Sequence, residues 1–148
     1  MSPTPAEALN DLVAEFDLLD EWEERYRYVI DLGRELQPLP PSDRSEVNKV
    51  RGCASQVWLA TEPQPDGRLV FRGDSDAHIV RGLIAILLRL YSGRRPAQIL
   101  EFDARAALSA LGLSSALSAQ RSNGLVAMIQ RIRRDADALG RASETLGG

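Results

Sequence analysis

The only cysteine of the chain, Cys53, is the residue best suited to covalent chemistry. Gly52 before it allows backbone conformations that a β-carbon would forbid, which helps to present the next side chain on a loop. Lys49 and Arg51 place positive charge nearby, and positive charge favours the thiolate, which is the nucleophilic form. Ser55 adds a hydroxyl group two residues later. These neighbours favour a reactive loop cysteine, whereas an isolated thiol is more often an inert buried residue. The residues alone leave both interpretations open.

The cysteine count excludes several other chemistries. A single thiol forms no internal disulfide, and Gln56 stands where a Cys-x-x-Cys redox pair would need its second cysteine. One cysteine and one histidine are too few for a structural zinc site, so we expect no metal. Ligation of an iron–sulfur cluster also needs several thiolates, which argues against a scaffold that builds a cluster on this chain.

His78, the only histidine, leaves one alternative open. A pair formed by Cys53 and His78 would indicate a stand-alone cysteine hydrolase. The plainer interpretation is a surface residue in the first turn of a predicted helix. Spacing along the chain does not decide between the two, because a pair requires a contact in the fold.

Length and composition indicate one domain over residues 1–148, with flexible tails at 1–5 and 140–148. The net charge of −3 comes from mixed signs without a basic stripe, so we expect no nucleic-acid binding. No apolar stretch is long enough to span a membrane, so we expect no membrane contact. The N-terminus lacks a signal pattern, which makes a cytoplasmic location the expectation.

The elements that position Cys53 follow from the hydrophobic period. Two amphipathic helices come first, the second ending near Gly33 before a proline-rich linker at 38–41. The apolar runs at 57–59 and 69–71 flank a turn-rich connector, which predicts an antiparallel hairpin. Residues 47–51 are a candidate third strand.

The remainder of the chain is predicted to be helical. An apolar run over 77–91 covers most of a helix circumference and indicates the central helix, with Asp74 and Asp76 available to cap it. Pro96 begins a short helix, and Asn123 precedes a long last one. The fold class is therefore α+β, with a small antiparallel sheet of two or three strands packed by several helices.

The segment around Cys53 resembles the cysteine motif of the SufE family of sulfur acceptor proteins. It reads Val50-x-Gly52-Cys53-x-Ser55-x-Val57-Trp58. Three more segments are similar to family motifs in the same order: Trp22-Glu23-x-Arg25-Tyr26-x-Tyr28-Val29-Ile30-x-Leu32-Gly33, Gly73-Asp74-Ser75-Asp76-Ala77-x-Ile79-Val80-x-Gly82-Leu83-Ile84-Ala85 and Arg121-Ser122-x-Gly124-Leu125-x-Ala127-Met128. The four motifs extend the resemblance over residues 7–139.

The resemblance implies a SufE/IscU-like fold and a role in sulfur transfer. In that family a SufS-like cysteine desulfurase, which carries pyridoxal phosphate (PLP), removes sulfur from free cysteine. The SufE-like protein stimulates the desulfurase, takes the sulfur as a persulfide on its own cysteine, and passes it to a SufB-like scaffold for iron–sulfur cluster assembly. Carried over to this chain, the persulfide forms on Cys53 and PLP stays on the partner, so the chain has no cofactor. It would act as a carrier rather than a stand-alone enzyme, as a monomer or weak homodimer.

The resemblance also suggests which residues support Cys53. It implies that the junction at Asp74 and Asp76 lies beside the cysteine loop and holds it. It implies that Arg121 acts near the cysteine or in contact with the desulfurase. The predicted site is thus Cys53 with the supporting residues Gly52, Arg51, Ser55, Asp74, Asp76 and Arg121.

Two further expectations concern exposure. The sulfur of Cys53 should tuck against apolar side chains at rest, since an exposed persulfide would be stripped by small thiols. Such burial would raise the thiol pKa and oppose the effect of Lys49 and Arg51. The basic run of Arg131, Arg133 and Arg134 has acidic residues close by and is interpreted as a solvated face.

Overall fold

The computed structural model describes residues 4–53, 55–113 and 119–147, in which six α-helices pack around a two-stranded sheet. The helices are α1 Pro5–Asp17, α2 Trp22–Arg34, α3 His78–Tyr91, α4 Pro96–Glu101, α5 Ala104–Ala110 and α6 Ala119–Gly147, and the strands are β1 Val57–Pro63 and β2 Leu69–Ser75. The predicted α+β class is confirmed. Of the two predicted tails, residues 1–3 and Gly148 lie outside the described residues, while Pro5 begins α1 and α6 continues to Gly147.

The sheet is the predicted hairpin. Strands β1 and β2 are antiparallel, with Val57 opposite Ser75 and Pro63 opposite Leu69. The candidate third strand at 47–51 reduces to one isolated bridge, between Lys49 and Trp58. A sheet of two strands is therefore what this part of the chain forms.

Helix α3 is the centre of the fold, as its apolar sequence predicts. It packs against α2 on one side and β2 on the other, and its residues Leu83, Ile84 and Leu87 are almost completely buried. At the α2–α3 contact the backbones touch, because a β-carbon on Gly82 would lie only 2.0 Å from the carbonyl oxygen of Val29. Gly33 faces the same contact from inside α2, which ends one residue later at Arg34, close to the predicted end.

The remaining helices complete the frame around the hairpin. Pro96 is the first residue of α4, as predicted, since a helix start needs no N–H there. Helix α6 begins at Ala119, upstream of the predicted start at Asn123, because the residues between them include no helix breaker. Within the described part of the chain, no helix is long and apolar enough to cross a membrane.

Candidate cysteine site

Cys53 lies just before β1, in a segment whose described residues, 51–53 and 55–56, belong to no helix or strand; we call this segment the cysteine loop. The loop is closed at its base by a hydrogen bond of 2.8 Å, which the N–H of Val50 donates to the carbonyl oxygen of Val57. Gly52 has a φ of 94°, in the region that side chains with a β-carbon rarely adopt. The predicted conformational role of Gly52 therefore has a direct structural basis: it turns the backbone immediately before the thiol.

The thiol of Cys53 lines a small cavity of about 20 Å³. A cavity needs roughly 10–15 Å³ to hold one water molecule, so this one has space for a single atom-sized group. Most of its walls are apolar, and they come from the loop, β1, α3 and α6. The lining residues are Cys53, Ser55, Val57, Val80, Leu83, Arg121, Gly124 and Met128.

Helix α6 contacts the thiol at Gly124. The Sγ of Cys53 lies 3.6 Å from the carbonyl oxygen of Gly124, to which its S–H donates. A β-carbon on Gly124 would lie 3.5 Å from that Sγ, in ordinary van der Waals contact. The missing side chain therefore leaves space beside the sulfur. In the sequence, Gly124 stands out only as part of a motif, although a glycine within a helical pattern is a signal of close approach.

Burial governs the protonation of Cys53 in the resting protein. It raises the pKa of the thiol above its ordinary value. The guanidinium group of Arg51 points instead to Glu46, at 3.0 Å, and both side chains are largely exposed. Of the two opposing effects predicted, burial therefore prevails over nearby positive charge.

Asp74 is a fully buried carboxylate that ties the linker to the hairpin and α3. Its Oδ2 accepts hydrogen bonds from Leu39 N–H at 3.2 Å and from Arg44 at 2.7 Å, and its Oδ1 accepts one from Ser75 N–H at 2.8 Å. The Nε of Arg81 lies 3.3 Å from Oδ1. Burial alone would raise the pKa of this carboxyl, but the hydrogen bonds from Ser75, Arg44 and Leu39 hold it below its usual value.

Asp76 and its neighbour fix the far end of the cysteine loop. The Oδ1 of Asp76 accepts a hydrogen bond of 3.0 Å from Gln56 N–H, and the hydroxyl of Ser75 donates one of 2.7 Å to the Gln56 carbonyl. Neither Asp74 nor Asp76 caps α3, whose N-cap is Ala77 without a side-chain hydrogen bond, so the capping prediction is wrong. Both carboxylates instead accept hydrogen bonds from residues that are distant in the sequence. The structure places this junction beside the loop.

The segment that leads into the loop is held by a residue that the sequence pattern assigned to a solvated face. Arg131 of α6 donates to the carbonyl oxygen of Val47 at 2.9 Å, and its Nε bonds Asp135 at 3.1 Å. Arg133 donates to the carbonyl oxygen of Phe102 at 3.1 Å. The solvated-face interpretation is wrong for these two residues, because backbone carbonyls of distant segments accept their hydrogen bonds. Arg134 is exposed.

Arg121 and Ser55 lie at the cavity, whereas His78 does not. Arg121 is an exposed residue near the start of α6 that lines the cavity together with Ser55. His78 is the exposed first residue of α3 and lines a different surface pocket with Arg81. The described residues thus do not supply a histidine base in the cavity around Cys53. Nor, in the same part of the chain, are three His, Cys, Asp or Glu side chains grouped to hold a metal ion.

The fold and the site together define a small α+β protein with one half-buried cysteine on a loop, walled by a hairpin and two helices. Residues 10–136 match the model of the SufE family, described as an Fe-S metabolism associated domain. The chain belongs to the SufE family.

Similar proteins agree with this placement. The chain is 50% identical to an uncharacterized SufE-like protein of Rhizobium meliloti, over 88% of this chain and 95% of that protein. It is 51% identical to an uncharacterized SufE-like protein of Rhizobium etli, over 87% and 89% of the two chains. The fold is similar to the solution structure of a hypothetical protein from Thermus thermophilus, with a TM-score of 0.74 at 20% identity, over 92% and 96% of the two chains.

Proposed function

We propose that this protein accepts sulfur as a persulfide on Cys53 from a cysteine desulfurase and carries it toward iron–sulfur cluster assembly. Membership of a family associated with Fe–S metabolism supports the part of the proposal that concerns iron–sulfur clusters. The observation that carries the proposal is the cavity of about 20 Å³ beside the thiol. It has room for one additional atom, which is what a persulfide adds to a cysteine.

The transfer needs one nucleophilic thiolate and no further oxidant. The Cys53 thiolate attacks the terminal sulfur of a persulfide on the donor's cysteine. A new S–S bond forms at Sγ of Cys53 while the donor's S–S bond breaks, and the donor cysteine leaves as a thiolate that takes up a proton. The oxidation state of the transferred sulfur is conserved, so PLP chemistry is confined to the donor.

The walls of the cavity suit the product. Val57, Val80, Leu83 and Met128 restrict the approach of small thiols, which would otherwise remove the sulfur by exchange. Arg121 lines the same cavity and brings a positive charge toward the anion that a thiolate or persulfide forms. The sequence has no second cysteine, so no disulfide within the chain can release the sulfur.

The resting site must open for transfer. At rest the thiol is half-buried and its pKa is raised by burial, so little thiolate is present near neutral pH. Docking that draws the loop out of the cavity would restore solvent and favour the thiolate. Arg131 anchors the segment before the loop, at Val47, and Asp76 anchors the far end of the loop, at Gln56. We therefore expect the motion to be confined to the part of the chain between these two anchors.

The test is mass spectrometry of the protein after incubation with a cysteine desulfurase and L-cysteine. Cys53 should gain one sulfur atom that a reducing agent removes, and the desulfurase should turn over faster. The Cys53→Ser variant should keep its fold and gain no sulfur, because an oxygen nucleophile forms no persulfide. Full stimulation by Cys53→Ser would contradict the carrier role. Hydrolysis of a small substrate without any partner would favour the hydrolase with Cys53 and His78 instead.

A further inference from the structure

A groove of about 560 Å³ lies beside the cysteine loop, between residues 46–51 and helix α6. Four cations line it against one carboxylate, whereas the whole chain carries a net charge of −3. The charged lining residues are Glu46, Lys49, Arg51, Arg131 and Arg134. Positive charge is thus concentrated on one face of an otherwise acidic protein.

Only some of these cations are paired with acceptors within the protein. Arg131 donates hydrogen bonds to Asp135 and to backbone carbonyl oxygens. The pair of Arg51 with Glu46 is exposed on both sides, and such pairs contribute little and exchange readily. Arg134 is exposed and, within the described part of the chain, makes no hydrogen bond or ion pair. The groove therefore has positive charge available to an anionic partner.

The shape of the groove favours a polypeptide segment over a small anion. Its volume lies within the range of about 300–1,000 Å³ that pockets for drug-sized molecules occupy, which is far more space than one small anion fills. Val47, one of the most exposed large apolar residues among those described, also lines it with 80% of its surface accessible. An apolar contact surrounded by charged residues is typical of protein interfaces.

The groove is next to the reactive loop. Ala127 lines it, and a β-carbon on Gly52 would lie 3.5 Å from the β-carbon of Ala127. Gly124 and Met128, on neighbouring positions of the same helix, wall the cavity of Cys53. A chain bound in the groove would lie against the backbone that leads into the thiol.

We propose that this groove docks an acidic segment of the sulfur donor, with carboxylates facing Lys49, Arg51 and Arg134 and an apolar side chain on Val47. The proposal rests on the proposed function for the identity of the donor. Binding there places the donor beside the loop that must open. It also gives the donor carboxylates a way to compete with Glu46 for Arg51, whose backbone is part of that loop.

The test compares two charge reversals of equal size. Arg134→Glu changes the groove, and Arg105→Glu changes an exposed arginine of α5 that does not line it. Arg134 is ten residues along α6 from Gly124, about 15 Å, which exceeds the screening length in physiological salt. An effect of Arg134→Glu is therefore an effect on docking rather than on the thiol.

The measurement is the Kd for a purified cysteine desulfurase at physiological and at high salt. Arg134→Glu should raise the Kd about fivefold or more at physiological salt, with a smaller effect at high salt, while Arg105→Glu stays within about twofold of the wild type. Lys49→Glu, at the other wall, should repeat the result. Circular dichroism checks that each variant is folded. Equal Kd values for Arg134→Glu and Arg105→Glu would overturn the proposal.

Two further measurements separate docking of a polypeptide from the proposed sulfur transfer and from binding of a simple anion. At saturating concentration, Arg134→Glu should still load sulfur on Cys53. A wild type that binds the desulfurase but never gains sulfur would overturn the proposed function while leaving the docking result intact. A polyglutamate peptide should compete with the desulfurase for wild type but not for Arg134→Glu. Competition by inorganic phosphate at the same charge concentration would indicate a simple anion site and would overturn docking of a polypeptide.

Discussion

The Sγ of Cys53 lies 3.6 Å from the carbonyl oxygen of Gly124, so the reactive loop is held directly to the backbone of helix α6. A carbonyl oxygen has two lone pairs, and one remains for the thiol after the helix has used the other. The contact needs S–H as the donor, which agrees with a thiol whose pKa is raised by burial. Loading sulfur must therefore replace this contact, and residues around Gly124 control how easily it does so.

Gly124→Ala should separate stability from sulfur loading. The new methyl group would meet Sγ of Cys53 at 3.5 Å without a clash, and alanine in a helix is favoured over glycine by about 0.5–1 kcal/mol. The free energy of unfolding should therefore hold or rise. The methyl group takes up space beside the sulfur, so the fraction of Cys53 that carries a persulfide should fall. Asn123→Ala, at an exposed neighbouring position, is the control for helix propensity. Normal loading of Gly124→Ala would show that the sulfur is not stored beside this helix.

Arg121→Ala should slow sulfur acceptance more than it lowers the melting temperature. The guanidinium group lines the cavity, where the acceptor is anionic during transfer. Because the residue is exposed, solvent screens it, and we expect a loss of up to about fivefold in the rate of persulfide formation. Arg121→Lys keeps the charge and should recover most of the rate. A lower melting temperature with an unchanged rate would make the role of Arg121 purely structural.

Arg131→Met should loosen the segment that leads into the cysteine loop. It removes the hydrogen bond to the Val47 carbonyl and the ion pair with Asp135, at a cost of about 1–3 kcal/mol in the free energy of unfolding. Under conditions where both proteins stay folded, iodoacetamide should alkylate Cys53 several times faster than in the wild type. Arg134→Met, on the exposed face of the same helix, is the control and should leave the rate unchanged. Unchanged alkylation of both variants would mean that other contacts hold the loop.

These residues mark the limit of what the sequence predicted. The hairpin follows from period-two patterning, and the loop before it follows from Gly52, because both signals are local. The bond between Arg131 and the Val47 carbonyl joins residues 84 positions apart, and no local pattern records it. The local sequence predicted that Asp74 caps a helix, but in the fold its carboxylate accepts hydrogen bonds from Leu39 and Arg44. Long-range hydrogen bonds to backbone atoms, more than the identity of the elements, are what the sequence left unpredicted.

Asp74→Asn should destabilise the protein at neutral pH and remove part of its acid sensitivity. The buried carboxylate bonds Leu39, Ser75 and Arg44, so the change should cost about 1–3 kcal/mol of unfolding free energy. The pKa of Asp74 is lowered in the fold, so its contribution is fully present above the unfolded value of about 3.9 and is lost as pH falls through the folded value. The difference between wild type and variant should therefore narrow below about pH 4. Asp31→Asn, in an exposed pair with Arg34, should cost under about 0.5 kcal/mol.

The last test is the pH dependence of stability that Cys53 causes. Its sign is opposite to that of Asp74, because stability is lost as the pH rises. Burial raises the pKa of this thiol, so the fold favours the neutral form. Its contribution to stability is fully present below the unfolded pKa of about 8.5 and is lost as pH rises through the folded value. The wild type should therefore lose unfolding free energy above about pH 8.5 that Cys53→Ser, without a thiol to ionise, retains.

The alkylation rate of Cys53 is an independent measure of the ionisation of its thiol. The midpoint of its pH profile should lie higher for the folded protein than for the protein unfolded in urea, because only the thiolate reacts. A bound desulfurase that draws the loop out of the cavity should move the midpoint back toward the unfolded value. Identical midpoints for the folded and unfolded protein would mean that the resting cavity does not shield the sulfur, and storage of a persulfide beside Gly124 would lose its physical basis.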